Sequence, residues 1–527
     1  MKNLVKKILF SCMLAFSLSS CTIWSIVNYS SSSQEKASTT SMDSEPVSPS
    51  NVMPFSLKNV GETVATAYCP STGNVNILVI PVEFSDYSFS LKPNFLSLLN
   101  NALNGNGSSD TGYWESAASF FRKSSYGKLN LTYTIAPIYR TGITAQAAIN
   151  SWGGQLDNAG YFLKTSIANY KLTNSTKQFD SDGDGLIDNV IMVYSCPHFQ
   201  SGCGYRDDSN NTFMWAYTYW APYTYSGRQD TSWVTENYNS PNPNTYIWLS
   251  YDFFYKSDDF TKTKADPHTI IHESGHSFGL DDYYPSGSST FYPMGGITMM
   301  DLNILDLDAY SKMVLGWYSP KIVQESKVVS ISALAETGDA ILIPTSSWNG
   351  TALDEYILLE YYKPRELNYL DSHTAYPNRR LGPNINGIKI YHVDSRLIKC
   401  RYGGSTFNYS YVTGPLNSLD SSYYYEICAS NCNKKENTSD STYPATYSSN
   451  FSLVHLIEAG GTNTFVYGAN GGNGSLFTQG ASFSMNSFSN FFPNGSGKLM
   501  NNGDSFDYRI VINSISSDQA QIQIIKG

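Results

Sequence analysis

The segment His272–Tyr284, HESGHSFGLDDYY, contains two histidines and a glutamate with the spacing of a metal-dependent hydrolytic site. On an α-helix, His272 and His276 lie one turn apart on the same face, so both imidazoles can reach one ion. Neutral imidazole suits Zn²⁺, and a catalytic zinc takes three protein ligands and an exchangeable water. Glu273 follows the first histidine, where its carboxylate can take a proton from that water. The alternative is an amphipathic helix whose histidines are satisfied by hydrogen bonds.

The third metal ligand must come from beyond this helix. No glutamate and no third histidine stands in the forty residues after His276, although both are usual third ligands in zinc peptidases. Gly279 can adopt the left-handed conformation that ends a helix and turns the chain back. Asp282 then occupies the tenth position after His272 and is the predicted ligand. Asp281 is the competing candidate.

An aspartate-rich stretch, DSDGDGLID, precedes a short apolar run. Asp180, Asp182, Asp184 and Asp188 occupy positions 1, 3, 5 and 9 of a calcium-type loop, with Gly185 at position 6 for the tight turn. Position 12 is not a glutamate and a strand follows, so this is not an EF-hand. A solvated turn is the alternative, but four carboxylates within nine residues repel one another without a cation. The stretch therefore predicts a structural Ca²⁺ site.

These sites must be positioned by the elements around them. Length favours two folded domains, because 527 residues exceed what one core usually serves. A continuous apolar run near residue 74, NVNILVIPVEF, predicts a buried strand. From about residue 321, short strands alternate with Gly, Asn and Ser turns. The sequence predicts an α+β fold, with a catalytic domain at residues 60–322 and a β-sandwich-like domain at residues 323–527.

Charge and the N-terminus indicate where the protein works. With 34 Lys and Arg against 44 Asp and Glu, and no basic run after residue 7, a nucleic-acid partner is not expected. An apolar core of 11 residues, Ile8–Leu18, follows three lysines and is too short to span a bilayer. The ending LSSC resembles a bacterial lipobox. We expect a lipoprotein signal peptide at residues 1–20, lipid on Cys21, and a flexible Ser/Thr-rich tether at residues 21–59; a plain signal peptide is the alternative.

Six further cysteines remain after Cys12 and Cys21. Outside the cytoplasm an even number favours disulfides. Close spacing predicts the pairs Cys196–Cys203 and Cys428–Cys432, which leaves Cys69 with Cys400. Other pairings stay open, and so does a role of Cys69 as a cap on the metal.

The pattern His-Glu-x-x-His-x-x-Gly-x-x-Asp followed by Tyr resembles the immune inhibitor A family of secreted bacterial zinc metallopeptidases. Other segments are similar to that family in the same order: SFFRKSSYGKLNL, FDSDGDGLIDNVIMVYS, PMGGITMMDLNILDLDAYSKMVLGW and NGIKIYHVD. The resemblance implies a metzincin-like catalytic domain, endopeptidase activity and a β-rich C-terminal domain. It also implies a methionine beneath the zinc, for which Met300 aligns best and Met299 and Met294 are alternatives.

These features predict a zinc-dependent endopeptidase, lipid-anchored at the bacterial cell surface, that hydrolyses extracellular proteins or peptides with Glu273 as the general base. One rival function is a catalytically inactive, adhesin-like lipoprotein on the same fold. Another keeps the zinc but acts on a non-peptide substrate such as glycan-linked material.

Overall fold

The computed structural model describes residues 68–92, 94–152, 155–198, 213–221, 232–285, 290–403, 406–412, 424–427, 429, 431 and 451–527. This part of the chain is a mixed α/β structure with several sheets, so the predicted α+β class is confirmed. The predicted signal peptide, the lipidation site Cys21 and the tether lie outside the described residues, as do Cys203, Cys428 and Cys432. Within the described ranges, no helix is both long and apolar enough to cross a membrane.

The first part of the chain combines a mostly parallel sheet with helices. Its strands are β1 (Gly73–Glu83), β2 (Leu129–Ile135), β3 (Tyr139–Arg140), β4 (Leu186–Ile187), β5 (Val190–Tyr194), β6 (Tyr217–Trp220), β7 (Asn242–Pro243) and β8 (Thr245–Ser250). Its helices are α1 (Phe95–Asn104), α2 (Ser108–Thr111), α3 (Ala117–Ser124), α4 (Ala145–Trp152), α5 (Gln155–Lys171), α6 (His268–Ser277), α7 (Met299–Leu302) and α8 (Ala309–Val314).

The main sheet has the strand order β2-β1-β5-β8-β6, and β3 also pairs with β1. All pairings are parallel except that of β6, which runs antiparallel to β8 at one edge. Strand β1 is an apolar run because both faces of the sheet are covered. Alternate side chains of β1 enter two different cores: Val75, Ile77 and Val79 on one face, and Leu78, Ile80 and Val82 on the other.

The second part of the chain is mainly antiparallel. Its strands are β9 (Lys321–Ile322), β10 (Lys327–Ser332), β11 (Ala340–Pro344), β12 (Glu355–Tyr362), β13 (Gly387–Asp394), β14 (Leu397–Gly403), β15 (Thr406–Tyr411), β16 (Tyr424–Ile427), β17 (Val454–Ile457), β18 (Ser482–Ser484), β19 (Tyr508–Ile515) and β20 (Gln519–Lys526). Its helices are α9 (Leu334–Thr337) and α10 (Tyr369–His373).

Two sheets of this second part, β17-β13-β12-β11-β9 and β10-β20-β19-β18, bury one apolar cluster between them. Ile357 and Ile390 come from the first sheet, and Ile510 and Ile522 from the second. The other face of the first sheet adds side chains such as Leu358 to the core that surrounds α6. The predicted domain boundary at residues 322/323 stays a prediction. Apolar side chains from both sides of this boundary pack in the core that surrounds α6.

Cys69 corrects one disulfide prediction. Its thiol is free, and its side chain, only 2 % exposed, is buried in the core that also surrounds α6. The backbone N–H of Cys69 donates to Ser277 O (2.9 Å), which fixes this segment against the end of α6. Burial, with a smaller effect of nearby aspartates, raises the pKa of the Cys69 thiol well above its usual value. The expected pairing with Cys400 is therefore wrong: the segment carrying Cys69 is packed against α6, and the thiol is buried there in reduced form.

Candidate metal centre

Helix α6 presents both histidines of the motif on one buried face, and the chain after it brings Asp282 to them. Gly279 has a φ of 104°, so it adopts the left-handed conformation that the sequence predicts. The turn is closed by a hydrogen bond from Leu280 N–H to Gly275 O (3.0 Å). Asp282 and the two histidines are each no more than 4 % exposed. Asp281 is also buried but does not belong to this group of potential ligands.

Three potential ligand atoms form a nearly equilateral triangle. The Nε2 atoms of His272 and His276 are 3.2 Å apart, and each lies 3.0 Å from Asp282 Oδ1. Ligand atoms about 2.0–2.1 Å from a tetrahedral zinc are about 3.3 Å from one another. The triangle therefore has nearly the dimensions of one face of a zinc coordination tetrahedron.

The other nitrogen of each imidazole fixes which atom faces the centre. His272 Nδ1 lies 2.9 Å from Met299 O, and His276 Nδ1 lies 2.7 Å from Leu280 O. Because a carbonyl oxygen can only accept, each Nδ1 must carry the proton and donate it. In the neutral rings, both Nε2 lone pairs then point towards the Asp282 carboxylate. Acceptors this close require a cation or a proton between them, so the donor set fits a bound Zn²⁺.

The pKa shifts of His276 and Asp282 indicate that the triangle stabilises positive charge. Burial disfavours the charged form of the His276 ring, but Asp282 outweighs it, and the pKa of His276 is raised to about 9. Burial also opposes ionisation of Asp282, yet the two histidines outweigh it and hold its pKa well below the usual range. The carboxylate is therefore negative, as a metal ligand must be.

Met300 lies directly beneath α6. A Cβ atom added to Gly275, which lies between the two histidines in sequence, would meet the Met300 sulfur and would stand 2.9 Å from Met300 Cε. Glycine at this position thus lets a fully buried methionine side chain approach the helix backbone. Met299 contributes a carbonyl oxygen to His272, and Tyr283 N–H donates to Met300 O (2.8 Å).

Glu273 points towards the edge strand β6. Thr218 Oγ1 lies 3.1 Å from Glu273 Oε2, and the same hydroxyl donates to the Glu273 carbonyl oxygen (2.7 Å). Burial raises the pKa of Glu273 above its usual value, against the opposite effect of His276 and His272. A buried carboxylate with a raised pKa is better suited to holding a proton than an exposed one.

Sequence reasoning missed Thr218 and Tyr284. The Tyr284 side chain hydrogen-bonds to Asp282, and its ring stacks on His272 with centroids 6.1 Å apart. Its position two residues after Asp282 is the signal that could have identified it. Thr218 comes from a Tyr- and Trp-rich segment without periodicity, and no sequence feature marks it.

A third histidine of α6, His268, is fully buried one turn before His272. Its ring is stacked between Trp114 (centroids 3.7 Å apart) and Tyr376 (4.1 Å). Nδ1 lies 2.7 Å from Asp266, and Nε2 lies 3.5 Å from Asp371. Burial disfavours the charged ring, but the two carboxylates outweigh it and raise the pKa of His268 to about 9.

The aspartate-rich loop gathers three of its four predicted ligands. Carboxylate oxygens of Asp180, Asp182 and Asp188 lie within 4.8 Å of one another, whereas Asp184 is not in that group and accepts a hydrogen bond from Leu186 N–H (2.9 Å). Asp180 Oδ1 is buried and has no hydrogen-bond partner among the described residues. Burial raises the pKa of Asp188 to about 8, a cost that a bound cation would offset. These carboxylates fit a hard cation such as Ca²⁺.

Comparison with known proteins identifies no family for this chain. No protein-family model matches it, and no curated protein is significantly similar to it. The resemblance to immune inhibitor A peptidases therefore stays a prediction from the motifs.

Proposed function

We propose that this chain is a zinc-dependent endopeptidase with a metzincin-like catalytic domain, in which His272, His276 and Asp282 hold the metal. The observation that carries the proposal is the triangle of two imidazole nitrogens and one carboxylate oxygen, with sides of 3.0–3.2 Å. Both rings are oriented by backbone carbonyls, as is usual for histidines that bind metal. Both Nε2 atoms face the same carboxylate oxygen, which is the arrangement that ligands of one shared ion require.

The chemistry assigned to the site is hydrolysis. When bound, a zinc ion at this site lowers the pKa of its water towards about 7 and polarises the carbonyl of the substrate. Glu273 accepts the proton of the attacking water and later delivers a proton to the leaving amine. Thr218 orients the Glu273 carboxylate through the contact at Oε2. Tyr284 orients Asp282 through its hydrogen bond.

A peptide is the substrate that suits the surroundings of Glu273. Strand β6 lies at the edge of the main sheet as the structure describes it, and its Thr218 contacts Glu273. Extended peptides are commonly recognised alongside edge strands, through main-chain hydrogen bonds. A peptide running along β6 would carry its carbonyl groups past the general base. We therefore assign peptides as the substrate class, and the protease assay tests this assignment against glycan-linked substrates.

Two further parts of the proposal rest mainly on the sequence. A structural Ca²⁺ is assigned to Asp180, Asp182 and Asp188, supported by the unpaired Asp180 oxygen. The lipobox at Cys21 assigns the protein to the bacterial cell surface, where it would act on extracellular proteins.

The test is metal analysis combined with a protease assay. The purified chain should carry one zinc, and casein hydrolysis should stop with a chelator and return with added zinc. A protein that holds zinc but cleaves neither casein nor gelatin would favour the adhesin-like alternative. Stoichiometric zinc in both His272→Ala and His276→Ala would exclude the proposed site.

A further inference from the structure

Two surface turns of the first part present apolar side chains to solvent. Phe260 is 96 % exposed, the highest value among large apolar side chains of the described residues. It lies in the turn between Tyr255 and Ala265, which are joined by an isolated β-bridge. Leu91, which is 77 % exposed, ends the 3₁₀ turn Phe89–Leu91. Single exposed apolar residues are common, but a phenylalanine with nearly its whole surface in water calls for a reason.

The turn that carries Phe260 is firmly held. The buried carboxylate of Asp259 accepts hydrogen bonds from the backbone N–H groups of Thr261 (3.1 Å), Thr263 (2.6 Å) and Lys264 (2.6 Å). These bonds close the backbone of the turn around one side chain. The ring of Phe260 is therefore displayed by a fixed backbone.

Both turns lie beside the same pair of tyrosines. Lys92, the residue after Leu91, has its Nζ 4.6 Å from the ring centroid of Tyr251. Lys262, two residues after Phe260, has its Nζ 5.3 Å from the ring of Tyr255. The two rings are 6.1 Å apart. The two turns are therefore neighbours, linked through these two rings.

The two turns carry more lysines than carboxylates although the chain has a net charge of −10. Lys262 and Lys264 are exposed, and Lys92 is partly exposed. Of the two acidic residues in the turn, Asp258 pairs with Lys256 (3.0 Å) and Asp259 is buried by its own turn. Four lysines (Lys92, Lys256, Lys262 and Lys264) against Asp258 and Asp259 leave a net charge of about +2 on the two turns. Glu83, which accepts a hydrogen bond from Phe89 N–H, is paired with Arg140 (3.0 Å).

We propose that Leu91, Lys92, Phe260, Lys262 and Lys264 form a docking face for an anionic lipid bilayer. Protruding apolar tips enter the acyl boundary of a bilayer, and lysines beside them attract anionic head groups. Two convex tips suit a fluid surface better than a partner that must supply matching pockets. The docking face orients the folded part of the chain on the membrane.

The inference rests on the lipid anchor in the proposed function, which keeps a bilayer close. Cys21 precedes Tyr68, the first described residue, by 47 positions, so the bilayer lies within about 160 Å even if the intervening chain is fully extended. Such tethering raises the effective concentration of the membrane, and a weak docking face is then sufficient.

The experiment uses the mature chain from residue 21 with Cys21→Ala, so that no lipid is attached, and phosphatidylglycerol vesicles at low ionic strength. We expect the protein to sediment with these vesicles, not with neutral phosphatidylcholine vesicles, and to be released by salt. Phe260→Ser should weaken binding about tenfold or more, because it removes the inserted ring. Lys262→Glu combined with Lys264→Glu should abolish it. Tyr467→Ser, at a similarly exposed aromatic residue elsewhere (84 %), is the matched control and should bind as the parent does.

Three results would overturn the inference: no vesicle binding by the parent chain, equal binding by Phe260→Ser, or an equal loss in Tyr467→Ser. A higher KM for casein in Phe260→Ser, with vesicle binding unchanged, would make the face a substrate contact instead. Melting temperatures serve as the folding control, because a side chain so exposed contributes little to stability. Casein hydrolysis in solution measures the proposed peptidase function separately. Loss of vesicle binding can therefore be distinguished from loss of peptidase activity.

Discussion

Replacing Glu273 by glutamine removes a base and leaves a side chain of nearly the same shape. Thr218 Oγ1 donates to the carbonyl oxygen of residue 273 and lies 3.1 Å from the carboxylate. A glutamine amide can donate to that hydroxyl oxygen, so strand β6 and helix α6 stay connected. None of the three proposed ligands changes. We expect the zinc content and the melting temperature of Glu273→Gln to equal those of the wild type.

The rate should respond very differently. A positioned general acid–base contributes about 10²–10⁴-fold, so kcat/KM for a peptide substrate should fall at least about 100-fold, or about 2.7 kcal/mol in transition-state stabilisation. The assay is the initial rate of cleavage of a quenched fluorescent peptide at saturating zinc. Thr218→Ser keeps the hydroxyl and should stay near wild type, whereas Thr218→Val removes it and should lower the rate without removing zinc.

Asp282→Ala provides the contrast. Losing a metal ligand lowers metal affinity together with rate, so added zinc should restore part of the Asp282→Ala activity and none of the Glu273→Gln activity. If Glu273→Gln cleaves at the wild-type rate with one zinc per chain, the assignment of the base is wrong. If Glu273→Gln loses zinc, Glu273 is itself a ligand.

Three further predictions follow from the geometry. Calcium should raise the melting temperature, and Asp182→Ala should remove that rise while Asp184→Ala keeps it; equal responses in both variants would place the ion elsewhere. The pKa of His268, about 9 against an ordinary 6.5, means that its ion pairs stabilise the fold below pH 6.5 and are lost as the pH rises through 9. In the wild type, the free energy of unfolding should fall by about 3 kcal/mol in full as His268 loses its proton, and in His268→Gln this fall should be absent. The measurement is denaturant unfolding between pH 6 and 9.5. Gly275→Ala forces a Cβ into Met300 and should cost about 1–3 kcal/mol of stability; calorimetry showing an unchanged melting temperature would mean that Met300 moves aside.

The parts of the site that the sequence predicts are those set by local geometry. Two histidines at a spacing of four on a helix must share a face. A glycine soon after the helix is suited to a left-handed turn, and Gly279 makes that turn at a φ of 104°. Asp282 then reaches the histidines because only a few residues separate it from the turn. In each case the residues that decide the geometry are neighbours in the sequence.

The parts that could not be predicted come from segments far apart in the chain. Thr218 reaches Glu273 across 55 positions, and Met299 reaches His272 across 27. The aspartate loop shows a related limit. A calcium-type spacing predicts four ligands, but the structure brings together Asp180, Asp182 and Asp188, while Asp184 Oδ1 accepts a hydrogen bond from Leu186 N–H.

The second part of the chain also contacts helix α6, which carries the two proposed histidine ligands, and sequence reasoning could not predict these contacts. Asp371, on α10, accepts a hydrogen bond from Leu305 N–H (2.8 Å) and lies 3.5 Å from His268 Nε2. Tyr376, just after α10, covers one face of the same imidazole. Position 268 is one helical turn before His272, so any shift of the second part would be transmitted to the first ligand. A metal held by the proposed triangle would tolerate little displacement of its ligands, since distances only about 0.2 Å from the ideal already weaken a site. The β-rich half of the chain therefore contributes to the position of the proposed ligands although it supplies none of them.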